Sequence, residues 1–337
     1  MLTQMLQRSG CLKRQLSIWL HVCLFSCLLA VACAAGGVHS AENGAAQNGW
    51  LRVEGTQLVN QNGQEMVLHG MSSHGLQWYS GFTVRSAIGS TAAYGANLFR
   101  VAMYTAEGGY LKNKKAIFRK LCDAVDAAIS CNMYVIIDWH TLSDRNPKSH
   151  QKAAKKFFDQ VSRRYAGRPN VIYEICNEPN GNTSWKQIRS YANAVIPVIR
   201  RNAPKSLILV GTPTWSQDVD VAAADPLSFD NIMYTCHFYA GTHKEWLRSK
   251  IRTALSKGCA VFVSEWGTSS ASGSGGVYKK EAGRWIAFMK KHKISWANWS
   301  LCDKRESSAA LRPGAKTEDG ISKKELTRSG KYVFARF

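Results

Sequence analysis

Acidic residues are scarce in this chain of 337 residues: 23 Asp and Glu stand against 44 Lys and Arg, which gives a formal net charge of +21. An excess of positive charge is common in nucleic-acid-binding proteins. Here, however, the basic residues are spread over the whole sequence, and no zinc-finger, homeodomain or RNP pattern accompanies them. We therefore expect a solvated basic surface and no nucleic-acid partner.

Motifs that bind nucleotides or zinc are also lacking. No early strand-like run is followed by GxGxxG or a P-loop, and no CxxC pair occurs, so we expect no zinc site. The chain has 10 cysteines, of which six lie after residue 40 and allow fifteen disulfide pairings without selecting one. Cys176 and Cys236 lie in apolar runs, which favours buried free thiols.

One long, mostly apolar run is present, from Ile18 to Ala34, and basic residues precede it. This pattern, followed by small residues, is typical of a signal peptide and is short for a membrane anchor. We expect residues 1–40 to be removed by cleavage after Ser40, with Ala34 as the alternative position and an uncleaved anchor as the competing interpretation. We therefore expect a secreted, extracellular protein that is not attached to a membrane in its mature form and that has one domain at 41–337.

Short β-branched runs alternate with amphipathic stretches from about residue 50 onward. In the stretches, apolar residues recur every three or four positions, as at Ile117, Leu121, Val125 and Ala128. The eight predicted strands are 66–71, 97–103, 133–137, 171–175, 206–210, 231–237, 260–263 and 294–299. Eight such units in about 280 residues predict an α/β fold, a single (β/α)8 TIM barrel. An open doubly wound sheet is the competitor, but its usual ligand motifs are missing.

Polar and aromatic residues cluster just past the ends of the predicted strands. In a (β/α)8 barrel the carboxyl ends of all strands open on one face, so residues distant in sequence converge there. Each residue alone has a structural explanation, such as an ion pair or packing. Together they predict a functional cleft formed by His74, Trp78, Arg100, Tyr104, His140, Asn177, Glu178, Trp215, His237, Tyr239, Glu265, Trp299 and Lys304.

Two carboxylates stand out in this set, Glu178 after the fourth strand and Glu265 after the seventh. A pair of carboxyl groups across a cleft performs glycoside hydrolysis, in which one acts as acid and base and the other as nucleophile. Aromatic side chains suit such a cleft because their faces stack on the C–H faces of sugars.

Several blocks resemble glycoside hydrolase family 5. They are LFRVAMY (98–104), VIIDWH (135–140), ICNEP (175–179), CHFY (236–239) and VSEWG (263–267). Three more blocks resemble the bacterial-type endo-β-1,4-glucanases, or cellulases, of this family, which also occur in plant-feeding invertebrates: GMSSHGLQW (70–78), GTPTWSQ (211–217) and NWSLCDKRESS (298–308). The resemblance extends over roughly residues 47–337.

This resemblance implies a role for each matching residue. It makes Glu178 the acid/base, Glu265 the nucleophile and Asn177 the partner of the sugar 2-hydroxyl. Arg100 and Tyr239 would keep the nucleophile ionised and oriented. The remaining matches are the cleft histidines His140 and His237, and the sugar-binding residues His74, Trp78, Tyr104, Trp215, Trp299, Lys304 and Glu306. No metal and no organic cofactor takes part in the family's reaction, so none is expected here.

The expected function is therefore that of a secreted, monomeric, retaining endo-β-1,4-glucanase whose partner is a β-1,4-glucan polysaccharide. Two alternatives remain open at this point. One is a related family 5 hydrolase that acts on mannan or xylan, since a shared fold does not fix the substrate. The other is a non-catalytic glucan-binding protein. A chain that had lost its activity would be expected to lack one of the catalytic residues, yet Asn177, Glu178, His237 and Glu265 are all present.

Overall fold

Eight parallel strands close into a barrel in a computed structural model that describes residues 40–337. Neighbours around the ring follow the order β10-β3-β4-β5-β6-β7-β8-β9. The barrel strands are β3 (His69–Ser73), β4 (Leu98–Tyr104), β5 (Tyr134–His140), β6 (Val171–Glu174), β7 (Ile208–Val210), β8 (Ile232–Tyr239), β9 (Val261–Gly267) and β10 (Trp296–Leu301). The predicted (β/α)8 TIM barrel is confirmed.

Helices follow the barrel strands and cover the outside of the barrel. The five long ones are strongly patterned, because one side of each packs on the sheet. The helices are α1 (Ala45–Asn48), α2 (Leu76–Tyr79), α3 (Arg85–Ala93), α4 (Lys114–Ser130), α5 (Gln151–Arg164), α6 (Trp185–Asn202), α7 (Pro213–Ser216), α8 (Val219–Ala224), α9 (Glu245–Ser256), α10 (Lys279–Lys291) and α11 (Arg328–Phe334). Two short 3₁₀ turns lie at Ser80–Phe82 and Pro147–His150.

Alternation along each strand divides the interior of the barrel into two halves. In β5, Ile137 and Trp139 point outward into the core beneath the helices, whereas Ile136 points inward. The next inward residues are Asp138 and His140, both fully or almost fully buried. This alternation of inward and outward side chains therefore places apolar side chains in the amino half of the barrel interior and polar ones in the carboxyl half.

A short hairpin that the sequence analysis did not predict closes the amino end of the barrel. Its strands, β1 (Arg52–Glu54) and β2 (Gln57–Val59), pair antiparallel. The amide of Met66 donates to the carbonyl of Leu58 in this hairpin at 2.8 Å. Met66 pairs with the hairpin, whereas the carbonyl of Leu68 already accepts from the amide of Trp296 in β10 at 2.8 Å, and the first barrel strand begins at His69 instead of the predicted position 66.

Most barrel strands also extend further toward the carboxyl end than predicted. The fourth and seventh predicted apolar runs illustrate the two outcomes: β6 ends at Glu174, one residue early, whereas β9 continues from Val263 to Gly267. Polar residues such as His140 and Glu265 thus lie within strands and not past their ends. The sequence prediction used apolar character to place strand ends, whereas backbone pairing continues through the polar residues.

Two further features concern the described part of the chain. All six cysteines after residue 40 are buried free thiols, including Cys176 and Cys236 as expected. Within residues 40–337, no helix has the length and apolar character needed to cross a bilayer. The expected signal peptide at 1–40 falls almost entirely outside the described residues.

Gly70 allows β3 to pack closely on β4, and this predicts a difference between two glycine substitutions. A Cβ at Gly70 would lie 1.7 Å from the carbonyl oxygen of Leu98, whereas a Cβ at Gly167 would meet no atom within 4 Å. We expect Gly70→Ala to lower the free energy of unfolding by about 2–3 kcal/mol because two strands must separate. Gly167→Ala should change it by less than about 1 kcal/mol. Thermal unfolding of both variants checks this, and equal midpoints would contradict it.

Candidate active site

A cleft with a volume of about 560 Å³ crosses the carboxyl face of the barrel. Twelve of the fourteen predicted site residues line it, and the other two, Arg100 and Asn177, are fully buried. The lining consists of His74, Trp78, Tyr104, His140, Leu142, Glu178, Trp215, Gln217, His237, Tyr239, His243, Glu265, residues 271–273, Trp299, Lys304 and Glu306. The strand ends and loops that carry these residues therefore converge on one cleft, as the sequence predicts.

The buried guanidinium of Arg100 organises the floor of this cleft. Its nitrogens lie 2.7 Å from Glu174 Oε2, 2.9 Å from Asp138 Oδ2 and 3.0 Å from Glu265 Oε2. A fourth contact, at 2.6 Å, is to Asn177 Oδ1. Burial opposes its charge, but the surrounding carboxylates outweigh burial and raise the pKa of Arg100. One cation thus orients side chains from four different strands or loops.

A β-bulge in β9 allows two consecutive residues to reach the interior. Thr235 pairs with Phe262 and His237 pairs with Glu265, so β9 uses one more residue than β8 over this interval. Consecutive residues of a regular strand point to opposite faces. Here Ser264 donates to Glu174 Oε1 at 2.6 Å while Glu265 contacts the Arg100 guanidinium. The extra residue therefore directs the Glu265 carboxylate into the cleft.

Both oxygens of the Glu265 carboxylate have a protein donor. Oε2 accepts from Arg100 at 3.0 Å and Oε1 accepts from the Tyr239 hydroxyl at 2.8 Å. Burial and the Glu265 and Glu178 carboxylates raise the pKa of Tyr239 well above its usual value, so the hydroxyl keeps its proton. The side chain of Glu265 is 6% exposed, which leaves it accessible only from the cleft.

Glu178 lies in the loop that follows β6. The loop is fixed by backbone bonds, since the amide of Asn177 donates to Trp139 O at 3.2 Å and that of Glu178 to Thr141 O at 3.1 Å. One carboxylate oxygen of Glu178 lies 2.9 Å from His237 Nδ1, and its side chain is 12% exposed. Glu178 is therefore held at one oxygen and open to the cleft at the other.

The two carboxylates are close neighbours across the cleft. One oxygen of Glu178, one of Glu265 and a ring nitrogen of His237 all lie within 4.8 Å of one another. This spacing also suits metal ligands, but the Arg100 cation beside Glu265 opposes a divalent ion, and both ring nitrogens of His237 have protein partners. That no metal takes part stays a prediction.

The two buried histidines of the cleft have opposite charge states near neutral pH. Burial lowers the pKa of His237, but the nearby Glu174 carboxylate and the bond to Glu178 outweigh burial and raise it to about 9. For His140, burial and the nearby Arg100 lower the pKa to about 3. A neutral His140 donates from Nδ1 to Asp138 at 2.6 Å and accepts at Nε2 from Asn177 Nδ2 at 3.2 Å.

Aromatic rings form the rest of the cleft surface. The ring of His140 stacks on Tyr104 with centroids 4.0 Å apart and on Trp299 at 5.4 Å. His74 packs 4.9 Å from Trp299. Because these rings share contacts, the surface is rigid, and it presents flat apolar faces beside the carboxylates.

Lys304 and Glu306 form an ion pair beside this surface. Lys304 Nζ lies 2.7 Å from Glu306 Oε2 and 3.4 Å from His74 Nε2. The Lys304 side chain is 42% exposed, whereas that of Glu306 is 7% exposed and also accepts from the Ser308 hydroxyl at 2.7 Å. The pair therefore belongs to the cleft wall, with the lysine available to a ligand.

Trp215 lies on the opposite rim in an unusual backbone conformation. Thr214, Trp215 and Ser216 all have φ of 55° or 56°, in the left-handed region that L-residues rarely occupy. The surrounding bonds hold this turn, since Ser216 Oγ donates to Asn177 O at 2.6 Å and the Trp215 amide donates to Pro179 O at 3.0 Å. The indole remains 44% exposed as a result.

Several residues that support the site are not among those predicted from the sequence. Glu174 lies in a predicted strand and Asp138 directly follows one, but neither was assigned to the cleft, although a buried acid in or beside an apolar strand is itself a signal. Ser264 and His243 were missed because neither residue type is diagnostic by itself. The roles predicted for the fourteen site residues stay predictions, whereas their positions are now described.

The fold and the site define a (β/α)8 protein with paired carboxylates in an aromatic cleft. Residues 59–305 match the family model for cellulase, glycosyl hydrolase family 5. The chain belongs to this family, and the resemblance inferred from its motifs is confirmed.

Bacterial endoglucanases are similar in sequence to this chain over most of its length. An endoglucanase of Clostridium saccharobutylicum is 54% identical over 287 residues, which cover 85% of this chain and 64% of that protein. Endoglucanase 5 of Pectobacterium carotovorum subsp. carotovorum is 49% identical over 288 residues, or 85% of this chain and 57% of that protein. The chain thus spans less than two thirds of the length of these relatives.

Solved structures show the same likeness. The catalytic domain of Thermobifida fusca endoglucanase Cel5A is 37% identical, with a TM-score of 0.83, and the match covers 87% of this chain and 98% of that domain. A variant of that domain, with the same match, has been solved in complex with cellotetraose. The barrel and its connections are therefore those of family 5 structures.

The raised pKa of His237 predicts a pH-dependent stability. The folded protein retains a proton that an unfolded histidine releases near pH 6.5, so the stabilisation is complete below that pH and is lost as the pH rises through about 9. A shift of this size corresponds to about 3 kcal/mol of unfolding free energy. We expect the thermal midpoint of the wild type to fall more steeply between pH 6.5 and 9 than that of His237→Gln. Parallel pH profiles would contradict this.

Proposed function

We propose that this chain is a secreted, monomeric, retaining endo-β-1,4-glucanase that hydrolyses internal bonds of cellulose and related glucans. The observation that carries the proposal is the pair Glu178 and Glu265, with oxygens within 4.8 Å of each other in an open aromatic cleft. Retaining glycosidases place their two carboxyl groups about 5–5.5 Å apart, whereas inverting ones leave room for a water molecule at about 6.5–9.5 Å. The short separation favours double displacement.

The first step assigns different tasks to the two carboxyl groups. Glu265 attacks the anomeric carbon while a protonated Glu178 transfers its proton to the glycosidic oxygen. The bond between that carbon and oxygen breaks, the leaving chain departs as an alcohol, and the sugar remains as an ester of Glu265. The two donors from Arg100 and Tyr239 hold the attacking carboxylate in one orientation.

The second step reverses the roles of proton donor and acceptor. Glu178, now ionised, takes a proton from water as the water oxygen attacks the anomeric carbon and displaces Glu265. Each step inverts the configuration at that carbon, so two steps retain it. His237, 2.9 Å from Glu178, keeps the carboxyl group in reach of both the leaving oxygen and the water.

Asn177 is proposed to bind the 2-hydroxyl of the sugar at the cleaved bond. Its Oδ1 accepts from Arg100, and its Nδ2 group donates to His140 Nε2 and Thr141 O, both at 3.2 Å. These two bonds are long for N–H donors, so a sugar hydroxyl would replace one of them. The Arg100 contact fixes which end of the amide faces the sugar.

The substrate assignment depends on the wall formed by Trp299, Lys304 and Glu306. An aromatic face beside a charged pair suits a glucose ring, whose hydroxyls are equatorial and whose faces are apolar. Mannose has an axial 2-hydroxyl and would leave polar groups of the wall unpaired. Trp78 and Trp215 are exposed at the two rims, which suits a chain that extends through the cleft and is cut internally.

Secretion rests on the N-terminal pattern, since residues 1–39 lie outside the described structure. The basic start, the apolar run and the small residues that follow are those of a signal peptide. Mass spectrometry of the protein from the culture medium tests this part, because cleavage after Ser40 leaves a chain that begins at Ala41.

The roles of the two carboxyl groups predict different behaviour of their variants. Glu178→Gln and Glu265→Gln should each lower turnover of cello-oligosaccharides by several orders of magnitude without unfolding the protein. Glu178→Gln should be partly spared on an aryl cellobioside, since a good leaving group needs little protonation. In Glu265→Gly, azide should restore turnover by occupying the space of the carboxylate and should give a glycosyl azide of inverted configuration.

A matched control is Glu318→Gln, the same change at an exposed glutamate outside the cleft, which should leave turnover unchanged. Steady-state kinetics and thermal unfolding on all four variants separate catalysis from folding. Near-normal turnover of Glu265→Gln would refute the assignment of the nucleophile.

The cleft wall predicts a preference among polysaccharides. The protein should hydrolyse carboxymethyl cellulose at least about tenfold faster than mannan, because each unpaired polar group costs about 1–3 kcal/mol. Lys304→Ala should lower activity on cello-oligosaccharides more than on an aryl glucoside, whose single sugar does not reach Lys304. The exposed Lys316→Ala, outside the cleft, serves as control. Reducing-sugar assays on carboxymethyl cellulose, mannan and xylan check this, and mannan or xylan as the better substrate would establish the alternative hydrolase.

A further inference from the structure

Trp246 is an exposed aromatic residue that has no role in the reaction proposed above. Its side chain is 47% exposed, compared with 51% for Trp78 and 44% for Trp215. These three are the most exposed tryptophans in the part of the chain that the structure describes. Trp78 and Trp215 both line the cleft. The position of Trp246 relative to the cleft therefore decides whether it can contact the substrate as well.

Trp246 lies on the same face of the barrel as the cleft. It is in the first turn of α9, the helix that five connecting residues separate from the end of β8 at Tyr239. A helix that follows a barrel strand starts at the carboxyl face. The connection before it, from Ala240 to Lys244, supplies His243, which lines the cleft.

The contacts of His243 join Trp246 to the cleft wall. The two rings lie with centroids 5.7 Å apart. His243 is itself fixed, since its Nδ1 accepts from the Tyr239 amide at 2.7 Å and its carbonyl accepts from Trp285 Nε1 at 3.0 Å. Trp246 therefore packs directly against a residue of the cleft lining.

A second chain of contacts joins Trp246 to Trp215 on the neighbouring loop. Lys250 Nζ lies 5.6 Å from the centroid of the Trp246 ring and pairs with Asp218. The other oxygen of Asp218 accepts from the Thr214 hydroxyl at 2.6 Å, and Thr214 directly precedes Trp215. Since β7 and β8 are adjacent in the barrel, the two exposed indoles lie on adjacent loops of one rim.

Trp215 is opposite Trp78, on whose side of the cleft Lys304 Nζ lies 3.4 Å from His74 Nε2 and the His74 ring packs 5.7 Å from Trp78. Trp78 follows β3 and Trp215 follows β7, and these strands are four places apart in the ring of eight. If the Lys304 side binds the part of the glucan that is retained on Glu265, the Trp215 side binds the leaving part. A chain that passes over Trp215 continues toward the loop that carries Trp246.

We propose that Trp246 stacks a glucose unit of the leaving part of the glucan, beyond the unit at Trp215, an inference that rests on the proposed endoglucanase function. The indole supplies an apolar face, and Lys250 and Asp218 beside it supply a donor and an acceptor for sugar hydroxyls. The contact strengthens binding only of substrates long enough to reach it. It therefore selects long chains over short ones.

The test compares Trp246→Ala and Trp246→Phe with wild type on substrates of two lengths. An aryl cellobioside has only an aryl group on the leaving side, whereas cellohexaose extends past Trp215. We expect Trp246→Ala to lower kcat/KM on cellohexaose about fivefold to tenfold and leave the aryl cellobioside within about twofold of wild type, with most of the change in KM. Trp246→Phe should keep most of the activity on cellohexaose because a flat ring remains.

Val221→Ala is the matched control, since Val221 is an exposed apolar residue of the neighbouring helix α8 that does not line the cleft. It should change neither substrate. Thermal unfolding is measured on every variant. Equal losses on both substrates, or a loss that tracks a lower melting temperature, would mean that Trp246 only stabilises α9 through Lys250, and would overturn the proposal.

Two results distinguish this proposal from the one on which it depends. If wild type fails to hydrolyse cellohexaose, the endoglucanase function fails and the Trp246 contact fails with it. If wild type hydrolyses cellohexaose and Trp246→Ala matches it on both substrates, the endoglucanase function stands and the Trp246 contact alone is refuted.

Discussion

The arrangement of this site depends on one buried cation. The Arg100 guanidinium contacts Asp138, Glu174 and Glu265, and it also donates to Asn177 Oδ1. A charge buried without partners is strongly unfavourable, and a buried cluster is stable only when its members remain paired. The barrel can therefore hold Glu265 as an acceptor at the bottom of a cleft because other carboxyl groups balance the same guanidinium.

The polar cluster extends from Arg100 to Glu178, the proposed acid/base. Glu174 accepts from Arg100 and Ser264 and lies 3.7 Å from His237 Nε2, while His237 Nδ1 contacts Glu178. Glu174 thus connects the environments of both carboxylates, although it does not reach the cleft itself. Such a shared support keeps the two carboxylates at a constant separation, which the proposed double displacement requires.

The sequence predicted the barrel because each strand is apolar and each helix is periodic, and it predicted the cleft because aromatic and charged residues recur near strand ends. It did not reveal the bulge that brings both Ser264 and Glu265 inward, since an extra residue leaves no mark in the apolar pattern. Nor did it reveal Glu174 and Asp138 as partners of Arg100, because pairing across strands depends on register. The rim formed by His243 and Trp246 required the loop geometry.

The most direct test of the account is the configuration of the first product. Cellopentaose is hydrolysed inside an NMR tube, and the anomeric proton of the new reducing end is followed before mutarotation equilibrates the two forms. Because Glu178 and Glu265 have oxygens within 4.8 Å, the account predicts that the β anomer appears first and the α anomer only later. An α anomer formed first would show a single displacement by water and would contradict the proposed role of Glu265.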